Sequence, residues 1–392
     1  MSRAHVGGAF ARGLGLACLL ATSCGTNPHH SPADASLVPY SGLIDQGAPA
    51  SDQGLPTTDN SCPSVGNAGA VGPGVVTLAG SEEAGHRDCV GVAAQFNNPV
   101  NVTVGPTGEL FVADFDNDTI RKVSPQGVVT TVLTGPGGFR RPFGLVFASD
   151  GRLYVQTDYD SRGTEKVGAL WTLDLKSGQA SLVLDKIGLL RGLGALHAPS
   201  SGLVVADYTG HVVLRFDPET KAMTTLAGSR GKSGYADGTG SAARFSAPYD
   251  VVVTSSHEII VADEGNHRLR QITLSGQTST WAGDGVAGSL DGPRLGARFN
   301  KPRGLAIDSA QNVYVTEVDG HVIRKVSTAG QVTTIAGDGV PGFLDAADPL
   351  QARFFGLEGL DITGDGKLLS VADGNEGTES NYHRVRRVTL EP

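Results

Sequence analysis

Acidic residues recur at one position of a repeated pattern in this 392-residue chain. Each follows a short apolar run, and the set is Asp114, Asp158, Asp207, Asp263, Glu317 and Asp373. Carboxylate oxygens are the ligands that calcium takes, so a cation-binding ring is one interpretation. We favour a structural role, in which each carboxylate accepts backbone N–H bonds in the following turn, because a position this regular needs no ligand to explain it.

Two further sets of residues raise the question of metal binding. Histidine recurs in one turn, at His211, His267, His321 and His383, and aspartate recurs in long connections, at Asp88, Asp237, Asp291 and Asp345. Equivalent residues of neighbouring units in a ring lie about 10 Å apart, whereas zinc needs nitrogen at about 2.0–2.1 Å, so we predict turn and packing roles for the histidines. We predict that each of these aspartates caps a helical turn and pairs with the arginine of the Ala-Arg that follows it. We therefore predict that the protein has no cofactor. Calcium at Asp237, Asp291 and Asp345, or zinc, is the alternative.

The binding hypothesis depends on residues that differ from the repeated pattern. Phe115, Tyr159 and Tyr208 follow the repeated acid in the first three units, where the later units have Glu264, Val318 and Gly374. Short connections add Arg140, Arg141, Phe143 and Arg191. We predict that these aromatic and arginine residues form one patch that binds a peptide, glycan or anionic ligand. The alternative is that the rings pack on neighbouring loops.

An internal repeat supplies the elements that position these residues. Segments 96–135, 245–283 and 299–337 align, and weaker copies begin at Phe139, near Leu189 and at Phe354. A copy has four β-rich runs separated by turn residues, which predicts a four-stranded antiparallel meander. Six such meanders bury their faces when they form a ring, so we predict an all-β, six-bladed β-propeller. The last unit ends after three runs, and Val75–Gly80 is predicted to add its outer strand.

The repeat resembles the NHL repeat. The matching signature is F-x-x-P-x-G-[LV]-[AV], V-A-D, N-H-R-[LIV]-R and V-T-T-[LI]-A-G, and one unit contains Asn266-His267-Arg268. The second and third units depart from it. The resemblance implies a binding surface, as in bacterial exported proteins and in animal proteins that recognise partners or RNA. Related six-bladed propellers include enzymes, namely the peptidylglycine amidating lyase, gluconolactonase-like hydrolases and paraoxonases.

The N-terminal segment is predicted to direct export. Arg3 and Arg12 precede a short apolar run that ends in Ser23-Cys24, which is similar to the bacterial lipobox, whose cysteine is acylated. We predict a lipoprotein-type signal peptide over 1–23, lipidation of Cys24, a disordered Pro/Gly/Ser-rich tether over 24–73 and the propeller over 74–392. Ordinary signal cleavage is the alternative. The expected location is the cell envelope, as an outer-membrane lipoprotein, or the periplasm.

Two cysteines remain for the exported chain, Cys62 and Cys89. An oxidising compartment favours a disulfide between them, which would attach the tether to the propeller. The alternative is two unpaired thiols.

Composition and charge limit the possible functions. Glycine accounts for 55 of the 392 residues, which disfavours a mostly helical chain, and the net charge of -9 without a basic cluster argues against nucleic acid as a partner. We favour a monomeric, non-enzymatic binding scaffold for protein, peptide or glycan partners, with membrane contact only through the lipid. The alternative is a metal-dependent lyase or lactonase-like hydrolase that uses the central channel. The first strands offer Asn101, Asp250 and Asp361 for such a site, without a converging set of histidines.

Overall fold

A computed structural model describes residue 62 and residues 72–134, 137–197, 201–375 and 381–390. The predicted signal peptide, Cys24 and most of the predicted tether lie outside the described residues. Within these ranges no helix has the length and apolar character needed to cross a membrane.

The described chain is almost entirely β-structure, arranged as six antiparallel sheets. The first strand is β1, Val75–Ser81. Blade 1 follows with β2, Pro99–Val104, β3, Leu110–Asp114, β4, Thr119–Val123, and β5, Val129–Thr134. Blade 2 has β6, Pro142–Phe147, β7, Leu153–Thr157, β8, Ala169–Asp174, and β9, Gln179–Asp185. Blade 3 has β10, Leu190–Ala195, β11, Leu203–Asp207, β12, Val212–Asp217, and β13, Ala222–Gly228.

Blades 4 and 5 carry a short extra edge strand each. Blade 4 has β14, Gly238–Thr239, β15, Pro248–Val253, β16, Ile259–Asp263, β17, Arg268–Ile272, and β18, Gln277–Ala282. Blade 5 has β19, Gly292–Pro293, β20, Pro302–Ile307, β21, Val313–Glu317, β22, Val322–Val326, and β23, Gln331–Ala336. Blade 6 has β24, Gly356–Ile362, β25, Leu368–Gly374, and β26, His383–Thr389. Short 3-10 turns at 91–93, 115–117, 240–242, 264–266 and 349–351 complete the structure.

The N-terminal strand closes the ring. Strand β1 pairs antiparallel with β26, from Val75 opposite Val388 to Ser81 opposite His383, and the order in that sheet is β1-β26-β25-β24. The last blade therefore takes its outermost strand from the start of the domain. The predicted six-bladed propeller and its closure are both confirmed.

Glycine closes several blades because the backbone turns there through the left-handed region. Gly283 and Gly337 have φ of +96° and +99°, and a Cβ at Gly337 would lie 2.4 Å from the His321 carbonyl oxygen. L-residues rarely adopt this conformation, so the repeated Ala-Gly at the end of the fourth strand has a steric cause.

The innermost strands β2, β6, β10, β15, β20 and β24 contact each other in turn around the axis. Their backbones approach closely, since a Cβ at Gly144 would lie 2.3 Å from the Arg191 carbonyl oxygen and one at Gly304 would lie 2.3 Å from that of Glu358. Glycine at these positions lets six strands surround a narrow channel, and it brings the side chains just before the glycines close together.

Phenylalanines fill the layers between blades. Phe96, Phe245, Phe299 and Phe354, which begin the blades in the sequence pattern, are all fully buried. The chain before β1 is joined to the same structure, because Cys62 and Cys89 form a disulfide with a Cα–Cα distance of 5.5 Å. The predicted cysteine pair is confirmed.

Candidate functional site

The repeated acids belong to the scaffold in four blades. Arg121 of β4 places Nη1 2.8 Å from Asp114 Oδ2, and the same contact joins Arg270 to Asp263 at 2.9 Å and Arg386 to Asp373 at 2.8 Å. Arg324 and Glu317 make the equivalent pair. All eight side chains are fully buried, so each carboxylate has a guanidinium partner inside the protein.

The predicted hydrogen-bond partner of these acids was largely wrong. Asp114 accepts from the backbone N–H of Asn97 at 2.7 Å, and Asp263 accepts from that of Ser246 at 2.8 Å. Both donors lie in the loop before the blade and not in the following turn. Asp207 does accept from the following turn, through Gly210 N–H at 2.7 Å.

The aspartates of the long connections bind the other edge of the same arginines. Nη2 of the third-strand arginine lies 2.7 Å from Asp88, 2.6 Å from Asp237, 2.8 Å from Asp291 and 2.8 Å from Asp345. The predicted capping role was wrong, because Thr239 precedes the 3-10 turn at 240–242 without a side-chain cap and Asp237 pairs with Arg270, 33 residues away. Among the residues that the structure describes, no group of three His, Cys, Asp or Glu side chains is arranged to hold a metal ion.

The repeated histidines join neighbouring blades. Nδ1 of His211, His267 and His383 accepts the backbone N–H of Ala247, Lys301 and Asn98 at 3.0, 3.2 and 3.0 Å. Burial lowers the pKa of all three imidazoles, which favours the neutral form that accepts this bond. The predicted turn and packing role is confirmed for these histidines.

Blades 2 and 3 lack the buried arginine. Trp171 of β8 lies opposite Val155, and Leu214 of β12 lies opposite Val205, in the register where the other blades have arginine. In blade 2 the acid position is held by Thr157, because Pro142 pairs with Thr157 as Pro99 pairs with Asp114 in blade 1. The predicted assignment of Asp158 to the repeated acids was therefore wrong, since Asp158 lies one position further, where blade 1 has Phe115. Asp158 pairs with Arg191 on the first strand of blade 3, with Oδ1 2.6 Å from Nη1, and Asp207 pairs with Arg230 at 2.6 Å.

In each blade, a residue at the start of the innermost strand pairs with the repeated-acid position at the end of the second strand. The side chains of the innermost-strand residues directly after these pairs converge at one end of the channel. Strand register makes Val100, Phe143, Arg191, Tyr249, Arg303 and Glu358 equivalent. Phe143 and Tyr249 are edge-to-face at 5.9 Å, although they belong to blades 2 and 4. Contact between these non-adjacent blades places the group at the axis.

Aromatic rings extend this group toward solvent. Phe115 packs edge-to-face on Phe143 at 5.8 Å, and Tyr208 packs edge-to-face on Tyr249 at 5.7 Å. The Arg191 guanidinium lies 4.2 Å from the Phe143 centroid and 5.8 Å from that of Tyr208. Arg303 lies 4.9 Å from the Tyr249 centroid. We call Phe115, Phe143, Arg191, Tyr208, Tyr249 and Arg303 the axial cluster.

The predicted patch residues fall into two groups. Phe115, Phe143, Arg191 and Tyr208 lie in the axial cluster, and Arg141 joins them with its guanidinium 5.3 Å from the Phe115 centroid. Arg140 and Tyr159 form a separate pair at 4.6 Å. Whether these residues bind a ligand stays a prediction.

Each guanidinium of this region lies near a carboxylate. Arg141 Nε is 3.4 Å from Asp116, and Arg140 Nε is 3.5 Å from Asp118. Arg303 contacts two carboxylates, Glu264 and Glu358, at 3.2 Å each. Burial lowers the pKa of Arg191, but Asp158, Tyr249 and Glu358 together outweigh burial and raise that pKa. Burial raises the pKa of Glu358, although Arg303 and Arg191 oppose the shift.

The family model of the NHL repeat matches residues 245–272. SUPPRESSOR OF QUENCHING 1, a chloroplastic protein of Arabidopsis thaliana, is 27% identical over 51% of this chain and 22% of that protein. NHL repeat-containing protein 2 of Gallus gallus is 37% identical over 24% of this chain and 13% of that protein. The matched stretches therefore span less than a quarter of either relative. This chain is an NHL-repeat β-propeller.

Solved structures share the propeller fold. A Bacteroides thetaiotaomicron protein of unknown function has a TM-score of 0.64 at 22% identity, covering 81% of this chain and 76% of that one. An auxiliary nutrient binding protein from Bacteroides ovatus has a TM-score of 0.60 at 19% identity, with the same coverage. At these identities the similarity shows the fold alone.

The channel of the NHL propeller contains a cavity of about 260 Å³ that includes Asn101, Asp250 and Asp361 in its lining. Asp250 accepts Leu305 N–H of the next blade at 2.9 Å, and Asp361 accepts Val104 N–H across the closure at 2.8 Å. Burial raises the pKa of Asp250 to about 7, and Asp361 adds to the shift. These carboxylates join neighbouring inner strands.

Sequence reasoning missed Tyr249, Arg303, Glu264 and Glu358. Tyr249 and Arg303 follow the repeated proline, in a column of the pattern that holds five residue types in six blades. That variability was the available signal, because scaffold positions stay constant while a position at a shared site is free to differ between blades.

Proposed function

We propose that this NHL propeller is an exported, lipid-anchored binding protein whose ligand site is the axial cluster. The observation that carries the proposal is that Asp158, at the position where blade 1 has Phe115, pairs with Arg191 of the cluster, whereas the repeated acids of blades 1, 4, 5 and 6 pair with scaffold arginines. Trp171 replaces the scaffold arginine, and it donates from Nε1 to Thr157 at 3.0 Å. Thr157 and Trp171 thus take the places of the acid and the arginine in the core of blade 2, while Asp158 pairs with Arg191.

The arrangement suits ligand binding for a second reason. Phe115 and Tyr208 are half-buried, so part of each ring faces solvent, while Phe143 and Tyr249 are buried beneath them. Rigid aromatic rings over a buried base are the usual anchors of binding surfaces, because they offer large contact area at low entropic cost. The name of the Bacteroides ovatus propeller, an auxiliary nutrient binding protein, agrees with a binding role for this fold.

The proposed partners are a protein, a peptide or a glycan. Lipidation at Cys24 and a tether over 24–73 would hold the propeller clear of a membrane surface, with its axial end available to a partner.

Binding arrays test the proposal. The full chain is applied to glycan and peptide arrays, and Phe115→Ala and Tyr208→Ala are compared with Tyr235→Ala, an exposed aromatic residue of the connection into blade 4. The two cluster variants are expected to lose at least tenfold in affinity for whatever the chain binds, and Tyr235→Ala is expected to keep it. Equal binding by all three variants would refute the axial site.

A further inference from the structure

The charges around the axial cluster do not balance. Among the described residues, Asp158, Glu264 and Glu358 surround two guanidiniums, Arg191 and Arg303, so full ionisation of these five groups leaves one negative charge. Asp158, Glu264 and Glu358 are all buried. We propose that the ligand of the axial cluster carries a primary ammonium group, which supplies the missing positive charge. This inference rests on the proposed function and specifies the chemistry of the same site.

Two buried carboxylate oxygens lack a hydrogen-bond donor among the described residues. Glu264 and Glu358 each use Oε1 for Arg303, while Oε2 of both residues is buried and accepts no hydrogen bond from a described residue. Buried acceptors are normally paired, so these atoms point to a donor that the chain does not provide. An ammonium group has three N–H donors, which is enough to supply one donor to each oxygen.

The arginines do not suit an anionic ligand. Arg191 lies 2.6 Å from Asp158, and Arg303 lies 3.2 Å from both Glu264 and Glu358. An anion would have to displace one of these carboxylates from a buried position and leave it without its partner, which is strongly unfavourable. The anionic ligand of the sequence hypothesis is therefore disfavoured.

The aromatic residues fit a cation with an apolar body. Glu264 occupies the position after the repeated acid, as Phe115 and Tyr208 do in their blades, so its carboxylate faces the same end of the ring. Ring faces attract cations, and apolar atoms pack on the same surfaces. Such a group occurs in a free alkylamine and in a lysine side chain of a peptide or protein.

Matched small probes test the charge. The full chain is titrated in about 150 mM salt with n-butylammonium, butanoate and 1-butanol, followed by ligand-observed NMR. A second pair, Nα-acetyl-lysine amide and its Nε-acetylated form, tests the lysine source. The variants are Glu358→Gln, Tyr208→Ala and, as a control that removes the same charge, Glu165→Gln on the rim of blade 2, where Glu165 pairs with Lys186.

We expect n-butylammonium to bind, butanoate to fail, and Glu358→Gln to weaken ammonium binding at least about tenfold, which corresponds to 1.4 kcal/mol. Glu165→Gln is expected to leave it unchanged, and thermal unfolding checks that each variant is folded. Binding of the lysine amide but not its acetylated form would assign a peptide or protein source, and binding of n-butylammonium alone would assign a free amine.

The two proposals fail in different ways. Binding of butanoate or 1-butanol that is lost in Tyr208→Ala but kept in Glu358→Gln would overturn the ammonium inference and leave the axial site standing. Binding of any probe that Tyr208→Ala leaves intact would overturn both. Absence of n-butylammonium binding up to about 20 mM would also overturn the ammonium inference.

Discussion

Arg270 of β17 holds blade 4 to the connection before it, and replacing it tests the scaffold. Nη1 donates to Asp263 Oδ2 at 2.9 Å and to the Arg244 carbonyl at 3.0 Å, while Nη2 donates to Asp237 Oδ1 at 2.6 Å and to the Ala236 carbonyl at 2.9 Å. The side chain is fully buried. Arg270→Met keeps much of the apolar volume and removes all four bonds. Breaking a buried ion pair from one side costs about 3–5 kcal/mol, so we expect the free energy of unfolding to fall by that amount.

The loss of stability in Arg270→Met is expected to depend on pH. Burial raises the pKa of Asp263 to about 6, although Asn266 and Arg270 stabilise its charged form. The folded state therefore binds more protons than the unfolded state between about pH 4 and 6, and stability falls as pH rises through this range. Without Arg270 the pKa of Asp263 rises further and the range extends upward. The loss of stability in Arg270→Met is thus expected to be larger at pH 8 than at pH 5.

Urea unfolding followed by tryptophan fluorescence measures the effect. Arg244→Met is the control, because the sequence pattern suggests Arg244 as the partner of Asp237 while the structure gives that role to Arg270. Arg244→Met is expected to cost at most about 1 kcal/mol. Arg270→Met with Asp263→Asn is expected to be more stable than Arg270→Met alone, since the uncompensated charge is gone. A loss below about 1 kcal/mol in Arg270→Met, or a larger loss in Arg244→Met, would refute the reasoning.

Three other predictions concern export, the disulfide and metal. Cys24→Ser is expected to abolish lipid labelling and release the chain from membranes; retained labelling would disprove the anchor. Cys89→Ser is expected to lower the free energy of unfolding by about 3 kcal/mol, because the disulfide closes a loop of 27 residues; dithiothreitol should destabilise the native chain equally and leave the variant unaffected. Chelation with EDTA is expected to leave the melting temperature unchanged, since Asp237, Asp291 and Asp345 bind guanidiniums; stoichiometric calcium or zinc in the purified protein would contradict this.

The fold could be predicted from the sequence because the same four-strand pattern occurs several times along the chain. The last unit has three predicted strands instead of four, and one predicted strand precedes the first unit. The sequence pattern alone therefore predicted that β1 pairs with β26. Four of the six residues of the axial cluster could be predicted as well. Phe115, Phe143, Arg191 and Tyr208 stand out in or beside blades whose sequences depart from the pattern.

The two other cluster residues and the two glutamates beside Arg303 were not predicted, because blades 4 to 6 follow the pattern well. Tyr249, Arg303, Glu264 and Glu358 look like ordinary members of regular units, and only the ring brings them to the residues of blades 1 to 3. The partner of each connection aspartate was hidden for a similar reason. Asp237 lies near Arg244 in sequence, but the fold carries it to Arg270.

The amino-acid sequence by itself determined the strands, the number of blades, the closure and the cysteine pair. The strands, the blade number and the closure depend on local periodicity and on the position of each residue within its repeat, and both can be read along one chain. The cysteine pair follows from the two cysteines that remain for an exported chain. Tertiary structure alone decided which charges meet. Six inner strands surround one axis, so residues about 50 positions apart become neighbours, and a buried carboxylate takes whichever guanidinium the packing offers. Strand register makes Asp263 a scaffold residue and places Asp158 one position further along the repeat, where it becomes part of the candidate site.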